Sequence, residues 1–251
     1  MEKERLNILN IQVDNITKRE LLENFTEGVL ITPNVDHLMK LQHDREFYEI
    51  YNKADYVTVD SQIVKKAMQF LGSPVKEVIT GSGFLPSFYM YHKNNPEVKI
   101  YLFGAAPGIA DIAMQKINEK VGREIVVGAY SPSFGFEKNE DECERIVDML
   151  NKSDANVLVV GVGAPKQEKW IYKYKDKLKN IKIYLAIGAT IDFEAEKVKR
   201  APVIMQKLAI EWLYRLVKEP KRLWRRYIIE DMPFFALIIK QKRGKYQNPF
   251  A

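Results

Sequence analysis

Through the second half of the chain, short unbroken apolar runs alternate with longer segments in which apolar residues recur every three or four positions. The runs at 99–104 (KIYLFG), 124–129 (EIVVGA), 156–161 (NVLVVG) and 182–188 (KIYLAIG) have the length of buried strands. Segments 109–121, 140–152 and 166–178 between them read as helices. Such alternation predicts a parallel sheet flanked by helices. The first half keeps the same rhythm less regularly, with strands expected at 6–13, 28–32 and 56–60 and helices around 18–25 and 37–53. The fold class that follows is α/β, a Rossmann-like parallel sheet in one domain over 1–199.

From residue 200 to 251 the pattern changes. Pro202 is placed to open a helix reaching Val217, and Pro220 punctuates the chain before a second one. On a helical wheel begun at Lys221, the basic residues Lys221, Arg222, Arg225 and Arg226 fall within about 140° of one another, and Leu223, Trp224, Tyr227 and Ile228 occupy the opposite side. The apolar stretch PFFALII and the basic KQKRGK follow. This is the pattern of a basic amphipathic helical appendage lying on an anionic membrane surface. The same residues also fit a helix that packs its apolar side on the domain and solvates its charges.

Charge sharpens this picture. The chain carries +6 overall, but residues 200–251 hold twelve basic and four acidic residues, a net of +8, which leaves −2 for the first 199. A localised basic block seeks an anionic partner. Nucleic acid is not expected, because no recognised nucleic-acid module accompanies the tail. The apolar run at 232–239 is far short of the ~20 residues a membrane-spanning helix needs. The N-terminal residues lack the basic-then-apolar order of a secretory signal, and Cys143 is the only cysteine, so a cytoplasmic setting, peripheral on the inner face of the cell membrane, is expected. An exposed apolar tail can also drive association between copies, a homo-oligomer.

Candidate chemistry gathers at strand ends. Two strand-to-helix turns are rich in small residues, GAAPG from Gly104 and GVGAPKQE, which contains Gly163 and Gln167. Backbone N–H groups at such a turn suit a phosphate. Pro165 fits a first helical position, with Lys166 and Gln167 on the exposed turn after it. Neither turn completes the dinucleotide fingerprint, and no Walker lysine loop is present. The segment TPNVDH (32–37) places Thr32 and Asn34 at a strand end, and Asp60 closes YVTVD. A carboxylate there serves either as a general base for a sugar hydroxyl or as a helix N-cap. His37, His43 and His92 have no metal-ligand spacing, and no cofactor or metal is expected.

Together, TPNVDH, ADYVTVD, GAAPG, GVGAPKQEKW, IGATIDFEAEKVKRAP and EWLYRLVKEPKRLWRRY resemble the signature stretches of the WecG/TagA/CpsF glycosyltransferase family, in order and over nearly the whole chain. Among its members the chain looks most similar to the teichoic-acid enzymes. That resemblance implies inverting transfer of N-acetylmannosamine from UDP-N-acetylmannosamine to undecaprenyl-diphosphate-linked N-acetylglucosamine. It implies Asp60 as the base, Thr32 and Asn34 in the same pocket, Gln167 facing it from the opposite turn, and tail arginines Arg215, Arg222 and Arg225 near a diphosphate. The chain departs from the family pattern where many members read Asp-Gly, having Asp60-Ser61, and at EVITGSG, where Val78 and Gly83 replace an arginine and an aspartate. Either another cation, such as a tail arginine, then serves the donor diphosphate, or the donor is bound less tightly. Two further readings stay open: a nucleotide-binding α/β oxidoreductase whose tail makes an oligomer interface, and a catalytically weakened diphosphate-lipid-binding protein.

Overall fold

Apolar runs become strands here because both faces of the sheet are covered, so nearly every position along them is buried. The computed structural model describes residues 3–197, 205 and 211–251, without the side chains of Glu211, Arg215 and Arg222. In chain order the elements are β1 (Arg5–Ile8), β2 (Ile11–Asp14), α1 (Lys18–Asn24), β3 (Gly28–Ile31), α2 (Val35–Lys40), α3 (Arg45–Lys53), β4 (Tyr56–Val57), α4 (Gln62–Leu71) and α5 (Gly81–Tyr91). They continue with β5 (Ile100–Gly104), α6 (Ile109–Val121), β6 (Val126–Tyr130), α7 (Glu140–Lys152), β7 (Val157–Gly161), α8 (Lys166–Tyr174), β8 (Ile183–Ala186) and α9 (Thr190–Glu194). A C-terminal arm follows, made of α10 (Glu211–Lys218), α11 (Pro220–Arg225), a π-helical turn (Arg226–Glu230) and α12 (Pro233–Lys242).

The chain divides into two units by its internal contacts: Met1–Lys18 with Thr32–Thr80 and Arg200–Ala251, and Arg19–Ile31 with Gly81–Lys199. The second unit is the α/β body. Its strands pair in parallel in the order β3-β8-β7-β5-β6. Helix α6 leads from β5 outward to β6, whereas α8 leads from β7 the other way to β8, so the neighbours β5 and β7 form a topological switch point. Ligands of open α/β sheets bind outside the carboxyl ends of such strands.

In the first unit β1 and β2 form an antiparallel hairpin with Arg5 opposite Asp14. A single strand over 6–13 is therefore not what forms: Leu9 turns with φ of 50° and the buried Asn10 is drawn out of the strand, donating to the Leu41 carbonyl at 2.6 Å. The expected helix over 37–53 is two helices, because Asp44 accepts from the Phe47 N–H and starts α3 afresh. Likewise the strand expected at 56–60 pairs only at Tyr56–Val57. Helices α4 and α5 occupy a stretch where the periodic reading assigned no element. Ser61 and Gly72 cap α4 at its two ends, a local signal that was present, while α5 is apolar on most sides and holds Pro86, so its sequence lacks helical periodicity. Of the helix expected from Pro202, positions 202–204 and 206–210 lie outside the described residues, and α10 follows them.

Candidate active site

Backbone anchors build the loop that carries Asp60. Asp14, buried at the end of β2, accepts from Arg5 Nε at 3.1 Å and from the Val57 N–H at 2.7 Å, which fixes where β4 starts. Ile79 N–H donates to the Val59 carbonyl at 2.9 Å, and the Thr58 hydroxyl donates to the Ile79 carbonyl at 3.3 Å. The Asp60 N–H then donates to the Pro33 carbonyl at 3.0 Å. Pro33 stands between Thr32 and Asn34, so Thr32, Asn34 and Asp60 meet in the first unit. Thr32 is buried and Asp60 is half-buried.

Two helix starts near this loop settle the competing capping roles. Asn34 is the N-cap of α2, accepting from the His37 N–H at 3.2 Å. Ser61, not Asp60, is the N-cap of α4, accepting from Ile63 and Val64 N–H groups at 3.2 and 3.5 Å. The serine that departs from the family's glycine thus has a structural task, and the neighbouring carboxylate is not the cap. His37, the third residue of α2, is buried, with Nδ1 2.7 Å from the Tyr51 hydroxyl, and desolvation pushes its pKa down to about 3. It stays neutral and packs on Phe47 and Tyr51 rather than titrating near pH 7. Val78 and Gly83 sit half-buried, Gly83 in the first turn of α5.

The two glycine-rich turns lie in the second unit at the switch point. Gly104 and Gly161 are directly paired across β5 and β7, and a Cβ on Gly104 would come within 2.5 Å of the Gly161 carbonyl carbon and oxygen. Gly161 in turn lies against the Gly188 carbonyl beyond β8, where a Cβ would meet the oxygen at 2.6 Å. Backbone thus meets backbone at these three strand ends, with the Ile191 side chain also against Gly161, where a Cβ would come within 3.0 Å of its Cδ1. Ser131, which nothing in the sequence marks, donates within 3.0 Å of both the Gly104 and Ala106 carbonyl oxygens and shapes the first turn. Gly108, with φ of 79°, caps α6.

In the second turn the structure corrects two expectations. Pro165 is the N-cap of α8, with Lys166 the first helical residue. Gln167 is not exposed but 2% accessible: its Oε1 accepts from the Gly163 N–H at 3.2 Å, and its Nε2 donates to Glu168 Oε1 at 2.7 Å. An amide is used there to close the turn from inside, because Gly163, at φ of 86°, turns its N–H back toward the helix. Lys166 is half-buried, with Nζ 5.6 Å from the ring centre of the fully exposed Phe134.

The arm also differs from the wheel. Its π-turn closes with the Asp231 N–H on the Arg226 carbonyl at 2.8 Å, five residues apart, so the 100° step fails after Arg225. Leu223 is buried, while Trp224, Ile228 and Ile229 are exposed. Arg225 pairs with Glu230 at 3.2 Å on the surface, whereas Arg226 leaves the basic face and turns to Asp36 and Asp231. The side chains of Arg215 and Arg222 lie outside the described residues. No described helix is long and apolar enough to cross a membrane, and among the described residues no group of three His, Cys, Asp or Glu side chains is placed to hold a metal ion.

Comparison with known proteins supplies the family. The sequence model of the glycosyl transferase WecG/TagA/CpsF family matches residues 6–248. The chain is 27% identical to an N-acetylglucosaminyldiphosphoundecaprenol N-acetyl-beta-D-mannosaminyltransferase of Staphylococcus aureus strain MRSA252, over 97% of this chain and 95% of that protein. It is 26% identical, with the same coverage, to the protein of that name from strain MW2. With a parallel α/β body, glycine turns at its switch point and a family match over nearly its whole length, the chain belongs to the WecG/TagA/CpsF family of glycosyl transferases.

Proposed function

We propose that this protein transfers N-acetylmannosamine from UDP-N-acetylmannosamine to undecaprenyl-diphosphate-linked N-acetylglucosamine, in teichoic acid linkage-unit synthesis. The observation that carries the reading is Asp60, whose backbone N–H donates to the Pro33 carbonyl at a strand end while Ser61, not its carboxylate, caps α4. In the reaction the acceptor's 4-hydroxyl gives its proton to Asp60 while its oxygen attacks the anomeric carbon. The bond from that carbon to the diphosphate breaks, UDP leaves with the electron pair, and the configuration inverts. A carboxylate at a strand end is the residue type that can take this proton as a general base. Thr32 and Asn34 border the same loop and line the acceptor side.

The donor diphosphate belongs to the glycine turns of the second unit. The turns at Gly104 and Gly163 border the phosphates, Gln167 takes up the Gly163 N–H and keeps that turn in shape, and Lys166, the first residue of α8, supplies a cation. Arg215, Arg222 and Arg225 would bring further charge to a diphosphate group.

Residues 200–251 act as a membrane-associating appendage on the inner face of the cell membrane. Val217, Trp224, Ile228, Ile229, Met232 and Phe235 are each about half or more exposed on the arm, with Lys221, Arg225, Lys240 and Lys242 among them. Exposed apolar and basic side chains on one arm suit the boundary of an anionic bilayer.

The test is UDP release from UDP-N-acetylmannosamine and a soluble lipid-diphosphate-N-acetylglucosamine analogue. The intact chain should turn over, and Asp60→Asn should fall by at least about a thousandfold with unchanged unfolding behaviour. Wild-type rates in Asp60→Asn would overturn the assignment of the base.

A further inference from the structure

Arg226 is set apart from the other arginines of the arm. Its Nε lies 3.5 Å from Asp36 Oδ1 and 3.8 Å from Asp231 Oδ2, and Asp36 Oδ2 is taken by Lys40 at 2.8 Å. Asp36 and Asp231 are buried, and the Arg226 side chain is 29% exposed. Arg226 Nε and Asp231 Oδ1 are both buried without a hydrogen-bond partner. The charges are therefore close enough to attract one another but too far apart to be fully satisfied. A buried cluster of this kind adds little net stability, yet losing one partner strands a charge, so it selects one docked position over others.

What the cluster joins gives it meaning. Asp36 is the second residue of α2, the helix capped by Asn34 and preceded by Thr32 and Pro33. Arg226 opens the π-turn directly after the basic helix α11. The unusual turn is also what aims Arg226 inward: Arg225 pairs with Glu230 at the surface, and the next residue faces the interior.

We propose that Arg226 is a positioning residue, whose pairing with Asp36 docks the C-terminal arm on α2 and so holds the arm in a fixed place relative to the Thr32–Asp60 loop. It does not touch substrate. Its catalytic consequence rests on the function proposed above, but the docking itself does not. Disengaged from Asp36, the arm keeps its charges and its apolar surface but loses its alignment with that loop.

The experiment is native-state cleavage of the full chain by chymotrypsin, whose sites in the arm include Trp224, Tyr227 and Phe235. Arg226→Ala and Asp36→Asn should each expose the arm to cleavage about tenfold faster, while Arg225→Ala stays near the wild-type rate. The charge swap Asp36→Arg with Arg226→Asp should recover much of the protection lost in either single variant. In the transfer assay, Arg226→Ala should raise KM for a vesicle-borne lipid acceptor more than it lowers kcat, and Arg226→Lys should restore part of it. Cleavage of Arg226→Ala at the wild-type rate, or equal acceleration by Arg225→Ala, overturns the proposal. Absence of transfer by the wild-type chain with the cleavage pattern intact would instead count against the proposed reaction, leaving the docking role standing.

Discussion

Gly104 and Gly163 both have positive φ, yet the space around them differs. A methyl at Gly104 would collide with the backbone of Gly161 at 2.5 Å, and backbone in a paired strand has nowhere to go. A methyl at Gly163 meets nothing within 4 Å, so only the left-handed conformation opposes it. Gly104→Ala should therefore cost more than about 4 kcal/mol or prevent folding, while Gly163→Ala should cost about 1 kcal/mol. Urea unfolding of the two variants checks the contrast. Equal losses would mean that the switch-point approach is looser than the geometry says. Gln167 gives the same lesson in reverse: its type suggested an exposed ligand for a sugar, but its amide is consumed in closing the turn that would hold one.

At the scale of the element, the docked π-turn carries a proton-dependent term. Burial pushes the Asp231 carboxyl up to about 6 from an ordinary value near 3.8, against the opposing pull of Arg226, with Asp36 and Glu230 raising it further and Lys40 lowering it. A carboxyl raised in the docked state stabilises docking most below the ordinary value, and that contribution is lost as pH rises through about 6. Above this window the docked arm must hold a charged, buried carboxylate. Asp231→Asn removes that burden, so at pH 7.5 it should slow cleavage of the arm by about fivefold relative to wild type, and the advantage should shrink as pH falls through 6 and vanish near 4. Chymotrypsin rates normalised to a free peptide at each pH measure it. The opposite trend of His37, whose stabilising contribution is lost as acid drives protonation of a buried ring, cancels in the comparison because both chains carry it.

For the whole molecule, the arm completes the first unit and, in the proposed function, meets a membrane, and adjacent phenylalanines divide these tasks. Phe234 is fully buried, while Phe235 is 49% exposed. Helix α12 packs on α2 and α4, with Ile238 buried one turn after Phe234. Phe234→Ala should cost about 3–5 kcal/mol by leaving a cavity. Phe235→Ser should leave stability within about 0.5 kcal/mol and weaken binding to anionic vesicles by about tenfold. Thermal unfolding and vesicle co-sedimentation read the two effects separately. Vesicle binding unchanged in Phe235→Ser, Trp224→Ser and Ile229→Ser together would remove the lipid surface from the proposed function. The arm is then a structural part of its unit and nothing more.

The sequence by itself determined whatever depends on neighbours along the chain. Runs such as KIYLFG and NVLVVG could only be buried strands, the glycine turns had to follow them, and the motifs from TPNVDH to EWLYRLVKEPKRLWRRY named the family because their order survives without folding. Local chemistry also marked Asn34, Asp44 and Ser61, residue types that start helices wherever they stand. Tertiary structure decided the rest, where the answer rests on contacts between distant residues. Whether Asp60 or Ser61 capped α4 depended on the hold of Pro33, and the hairpin depended on the seat of Asn10 against Leu41. Helix α5 exists although its pattern lacks a polar face, since packing supplies what periodicity does not. Arg226 parts from Arg225 because one π-turn rotates it onto Asp36, 190 residues away in the chain, and no periodicity within the arm encodes a partner outside it.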